Sequence, residues 1–263
     1  MELERLDDYQ SWRIRCGGQQ LIVDPWLVDD LEIGAGGRWL RRIHHAPVAL
    51  RPSEIGGRDI IVLTSGLAAH AHRPTLRAID RNVRVVGAAP AVRVARALGF
   101  RSTIALAPGQ RIVLDGRAAL TGIRPRFPWG VACLGLLFES LDDGVRVYLE
   151  PYLAPERHPA LEPSVDVVIA TVERIRLGGV PLAMDVDECV DLARRLRARW
   201  LLATGTEPGS AQGWLPEHLL RMDGGAEAFE SVAHLQLGEG RGRILPPGEV
   251  LRIPPRQRRR PAA

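Results

Sequence analysis

The chain has 263 residues, 46% of them hydrophobic and 25% charged, with a formal net charge of +4, which is enough for one large domain with a sizeable core. No apolar run reaches the roughly 20 residues of a membrane-spanning helix. The charged start MELERLDDYQ lacks the apolar stretch of a secretory signal, so a cytoplasmic location and no membrane partner are expected. All 35 basic residues are arginine, so no lysine nucleophile or Schiff base is available, and Cys16, Cys133 and Cys189 are too few and too far apart for a disulfide framework.

Short strands are predicted over Leu3 to Leu6, Ser11 to Cys16 and Gln19 to Val23, with Cys16-Gly17-Gly18-Gln19 as a hairpin turn. Pro25 stops the third strand, because it cannot donate to a ladder. Residues 27–55 form a long irregular stretch carrying His44 and His45, with a short helix expected from the spacing of Trp39 and Ile43. Loops of this length in compact domains often serve as lids. His44 and His45 are expected at the surface. From Asp59 the rhythm turns to β-loop-α: a strand at Ile60 to Leu63, a helix from Pro74 to Arg81, a strand at Val83 to Val86, a helix from Pro90 to Leu98, and a strand at Thr103 to Leu106.

The centre reads as β, over Arg111 to Leu114, Ala118 to Ile123, Val131 to Phe138 and Arg146 to Leu149. A buried strand at Val165 to Ala170, an amphipathic helix over Asp187 to Arg197, a strand at Trp200 to Ala203 and a helix at Pro216 to Met222 follow. Pro254-Pro255 introduces a basic end with Arg256, Arg258, Arg259 and Arg260. A single domain over 1–253 and a disordered tail over 254–263 are therefore expected. Without the tail the body is near neutral, which gives no support for a nucleic-acid groove.

The segment that carries chemistry is Asp59 to Leu76, DIIVLTSGLAAHAHRPTL. An apolar strand, a small-residue loop, two histidines and a Pro-led helix resemble the metallo-β-lactamase fold, whose loop reads T-H-x-H-x-D-H. In that frame Ser65 and Leu67 stand at histidine positions, Ala69 stands at the aspartate, and His70 alone matches. The resemblance is closer to a divergent, lactonase-like branch found in oxygenic phototrophs, whose loop is similar to S-Q-x-L-D-D-H-x-H and whose later segment is similar to Y-Y-E-P-H. Leu67, His70, His72, Glu150 and Pro151 match that branch, whereas Ala68, Ala69 and Tyr152 each remove a ligand. Val23-Asp24-Pro25-Trp26 is similar to the I-D-P-W of lactonase-like members, in which the aspartate lies near the site. The resemblance implies a four-layer αββα sandwich.

Two functions follow as expectations. A degenerate member would be non-catalytic and would bind a small-molecule ligand or a protein partner, with no cofactor. A divergent hydrolase of a small ester, lactone or phosphorylated substrate would hold zinc or another divalent metal on His70, His72 and Glu150, with Asp24 as a further candidate, and use metal-bound water. A catalytic zinc needs three protein ligands, and that count favours the first. Bland roles exist for each residue. His70 and His72 could organise the helix start, Asp24 could form a turn, and Glu150 could pair with an arginine. Ser65 with His70 also allows a nucleophile and base reading, although no G-x-S-x-G turn accompanies it.

Overall fold

The computed structural model describes residues 1–130, 132–207 and 210–256. Two seven-stranded sheets stack face to face, with helices outside them. The first sheet runs in the order Val250–Arg252, Glu2–Arg5, Trp12–Cys16, Gln19–Val23, Ile60–Leu63, Arg84–Gly87 and Thr103–Ala105. Its N-terminal hairpins are antiparallel, and pairing is parallel from Gln19–Val23 onward. The second runs Gly242–Arg243, Trp200–Thr204, Val167–Thr171, Arg146–Glu150, Gly135–Ser140, Ala118–Ile123 and Arg111–Leu114. This is the expected αββα sandwich.

Strand periodicity explains the layers. Leu136, Phe138, Val147, Leu149, Val167 and Ile169 join the core between the sheets. Their neighbours Leu137, Tyr148, Val168 and Ala170 point the other way, into a second core. That second core lies beneath α3 (Val186–Arg195) and α5 (Ala226–Leu237). On the other side, α2 (Ala89–Ala97) covers the first sheet, while α1 (Arg73–Ala78) follows the histidine loop and α4 (Trp214–His218) packs near Leu40–Arg42 and Leu220–Gly224. Asp185 and Glu188 close α3 with a reciprocal capping box.

Several elements differ from the sequence expectation. The short helix expected around Trp39 and Ile43 is instead a hairpin of Leu31–Ile33 and Leu40–Arg42, with one 3-10 turn at Ala35–Gly37. Gly34, Gly36 and Gly37 all adopt positive φ and turn the chain back. The helix expected over Pro216 to Met222 ends at His218, and Leu220–Gly224 pairs with Glu173–Leu177. The tertiary pairing overrides the local helical pattern there. Arg256 does not float free: its guanidinium donates to Asp166 at 2.8 Å and its N–H to the Asp143 carbonyl at 2.9 Å. Residues 257–263, with Arg258, Arg259 and Arg260, lie outside the described residues.

The site end of the first sheet depends on a close approach. A Cβ on Gly87 would sit 2.1 Å from the carbonyl oxygen of Leu63, the residue before the histidine loop. Gly87→Ala should therefore shift backbone rather than a side chain. It is expected to cost about 1–3 kcal/mol in chemical denaturation; an unchanged midpoint would show that the two strands can part freely.

Candidate functional site

The parallel strands Gln19–Val23 and Ile60–Leu63 end side by side, and their C-terminal residues build the site. Asp24 is buried and takes φ +45°, which turns its carboxylate across to the neighbouring strand end. Its Oδ1 accepts from the Thr64 N–H at 2.8 Å, and its Oδ2 accepts from the Thr64 hydroxyl at 2.5 Å. The same Oδ2 accepts from His70 Nδ1 at 2.7 Å. Because Nδ1 donates, the lone pair of the imidazole lies on Nε2, and no hydrogen bond engages that atom among the described residues.

His72 sits only two residues away but serves another purpose. Its Nε2 donates to the Asp30 carbonyl at 3.3 Å, leaving Nδ1 to accept from the Thr75 hydroxyl at 2.9 Å. Thr75 Oγ1 in turn accepts from the Leu27 N–H at 2.8 Å. Burial lowers the His72 pKa, with the Asp30 carbonyl opposing. The ring is thus a neutral post between α1 and the start of the 27–55 segment.

Ser65 and Tyr152 close the next gap. The Tyr152 hydroxyl donates to Ser65 Oγ at 2.8 Å, and the Leu67 N–H donates to the same oxygen at 3.1 Å. The Tyr152 ring lies 5.0 Å from that of His70 and 4.4 Å from that of Trp129. The backbone of Ser65 bridges to Cys133, so the two sheets meet here. Burial pushes the Cys133 thiol up to about 11, against the lowering effect of the Tyr152 and Ser65 hydroxyls. Ser65 makes no hydrogen bond to His70 among the described residues, so the nucleophile and base pairing is not assembled.

Glu150 ends its strand on the same face as Tyr148, whose ring packs in the core beneath α3. Its Oε2 accepts from the Tyr148 hydroxyl at 2.5 Å and its Oε1 from the Tyr152 N–H at 3.0 Å. Gly135 makes room: a Cβ there would lie 2.6 Å from Oε2 of Glu150. Burial raises the Glu150 pKa to about 7, against the lowering effect of these bonds and of Arg126. Arg126 itself pairs with Glu188 at 2.9 Å.

Asp24 and His70 are therefore brought together, Ser65 joins them through Thr64 and Tyr152, and His72 and Glu150 are each held by other partners. Among the described residues, no three side chains of His, Cys, Asp or Glu form a set that could hold a metal ion. A catalytic zinc requires three protein ligands and an open position; the donors as placed do not fit that group.

A second polar cluster escaped the sequence reading. His44 is half-buried rather than at the surface: it stacks on Trp26 at 3.8 Å and pairs with Asp8 at 2.8 Å. Burial would raise the Asp8 pKa, but hydrogen bonds from His44 and from the N–H groups of His45 and Ala46 outweigh it and bring it to about 2. Arg42, under the ring of Tyr9, forms a buried ion pair with Glu173. Trp26, Leu31 and Leu40 then pack on Ala68 and Ala69 of the histidine loop. The 27–55 segment thus lies over the candidate site. The available signal was the adjacent pair His44-His45 inside a long Gly-rich stretch; what it lacked was any mark of the partner Asp8.

A family model described as a β-lactamase superfamily domain matches residues 7–205. No match was found among curated proteins. Among solved structures, an isothiocyanate hydrolase from Delia radicum gut bacteria superposes with a TM-score of 0.73 at 14% identity, over 97% of this chain and 100% of the other. A possible metal-dependent hydrolase from Veillonella parvula gives 0.71 at 13% identity, covering 95% and 98%. A metallo-β-lactamase fold protein from Bacillus subtilis gives 0.61 at 14%, covering 95% and 98%. At these identities the likeness is one of fold.

Glu150 yields a pH test. Between its ordinary value of 4.5 and about 7, the native state alone holds the proton, so stability falls as pH rises through that window and is flat above it. The difference amounts to on the order of 3 kcal/mol. Denaturation at pH 5 and pH 8 is expected to show this loss in the parent chain and not in Glu150→Gln. Parallel pH profiles would mean that Glu150 stays ionised at neutral pH.

Proposed function

The chain belongs to the β-lactamase superfamily, and from that membership we propose that it is a metal-free member that acts by binding a ligand in place of hydrolysing a substrate. The observation that carries this reading is the Tyr152 to Ser65 hydrogen bond at 2.8 Å. In the family frame Ser65 stands at a ligand position, and Tyr152 stands where the phototroph branch has histidine. Here those two positions satisfy each other. Leu67 and Ala69 add no donor, and the remaining carboxylate, Glu150, is occupied by Tyr148 and the Tyr152 backbone.

One observation favours the hydrolase reading. A carboxylate that holds imidazole Nδ1 and leaves Nε2 free is how metal-binding histidines are commonly oriented, and Asp24 does this to His70. In a metal-free protein the same pair has a structural use, because it ties the loop to two strand ends. The solved relatives named as hydrolases support the ancestry of the scaffold, and the donor inventory supports the loss of its chemistry.

Metal analysis of protein produced with zinc, iron and manganese separates the two. The expected content is below roughly 0.1 metal per chain, because a lone imidazole cannot retain an ion through purification. Near-stoichiometric metal that disappears in His70→Ala would overturn the proposal in favour of the hydrolase.

A further inference from the structure

On the far side of the histidine loop from the 27–55 segment lies a groove of about 430 Å³, within the range of small-molecule sites. Leu67, Val94, Ala97 and Trp129 line it, and Cys133 forms part of its buried floor. Leu67 is 46% exposed although it follows directly on the buried Ser65. Cys133 joins the groove to the site, since its backbone bridges to that of Ser65.

The rim gives the groove a charge. Arg73 and Arg93 both line it, and no acidic residue does. Both guanidinium groups are exposed, and neither takes part in an ion pair or a side-chain hydrogen bond among the described residues. Their charges are thus left available to a ligand, unlike those of Arg13 with Glu4, Arg42 with Glu173 and Arg126 with Glu188. Arg73 stands on a ridge. Its other side borders a separate hollow where Asp29, Asp30 and Glu32 share the lining with Arg77, a mixed-charge surface less favourable to an anion. The apolar groove is therefore the side on which a negative group can meet both arginines.

We propose that this groove binds an amphipathic monoanion: a carboxylate whose apolar chain or ring lies against Leu67, Val94 and Trp129 while Arg73 and Arg93 hold its charged end. Guanidinium and carboxylate match in geometry and charge, and the apolar walls supply area for the tail. The proposal rests on the ligand-binding reading above and gives it a chemical class.

Isothermal titration of the full-length protein with decanoate tests it, with decylammonium as the probe of opposite charge. Decanoate is expected to bind saturably at one site per chain, and decylammonium is not. Arg73→Gln and Arg93→Gln are each expected to weaken decanoate about tenfold, the scale of one charge-assisted hydrogen bond, and the double variant to lose it. Ala97→Trp, at an exposed position of α2, should fill the groove and block binding without touching the fold's interior. Equal binding of both probes, no saturable decanoate binding, or unchanged affinity in the double arginine variant would overturn the proposal. Metal content is read on the same preparations. Stoichiometric metal beside normal decanoate binding sinks the metal-free reading and leaves the groove standing; absent metal with no decanoate binding does the reverse.

Discussion

The Asp24 carboxylate is the fixed point around which the site end of the sandwich is arranged. Two adjacent parallel strands end here, and each leaves a backbone that must change direction without losing its hydrogen bonds. Asp24 answers for both. Its own backbone adopts a left-handed conformation that costs on the order of 1 kcal/mol, and in exchange its two oxygens take the Thr64 N–H, the Thr64 hydroxyl and the His70 imidazole. Charge-assisted bonds of this kind are among the stronger ones available to a buried side chain. The Ser11 hydroxyl lies 3.0 Å from the Asp24 carbonyl and so adds the hairpin behind it. Remove the carboxylate and three donors lose their partner in a place water does not reach.

The rest of this end of the sandwich follows the same rule, that buried polar groups are satisfied or they are expensive. Ser65, Tyr152, Glu150 and Tyr148 form a chain of donors and acceptors in which each side chain meets a neighbour. The 27–55 hairpin lies over this network. It is pinned by the Arg42 and Glu173 pair and by Asp8 with His44, so its position is set by contacts far from the histidine loop. A buried ion pair of this kind gives little net stability, but it defines where the hairpin sits.

Much of this was legible in the sequence. The strand at Ile60 to Leu63, the histidine loop and the Pro-led α1 were placed from pattern alone, because apolar run, small residues and Pro74 each act locally. The absence of a disulfide framework was expected from the cysteine spacing, and Cys133 is a free, buried thiol. The failures were non-local. Pro216 to Met222 reads as helix until Glu173–Leu177 is there to pair with Leu220–Gly224. Helix α5, bracketed by Gly225 and Gly238 with Phe229, Ala233 and Leu237 four apart, was visible in principle and was not read. Glu150 matched the branch as a candidate ligand, but a linear motif does not tell which face of the strand it takes. On a strand, a single-residue offset turns a side chain to the opposite face, and Glu150 accordingly keeps company with Tyr148.

The packing of Trp26, Leu31 and Leu40 on Ala68 and Ala69 has an evolutionary corollary. Those two alanines occupy the positions where the resembling branch has aspartates. Once methyl groups stand there and an indole rests on them, reversion one step at a time is obstructed. The first aspartate to return would be desolvated beneath the hairpin with no cation to meet it, and the fold would be weakened before any chemistry was regained. On the metal-free reading, the loss of the ligands and the closing of the cover would form a ratchet: each would make the other harder to undo, and a lineage that passed through it would be steered toward new uses for its surface.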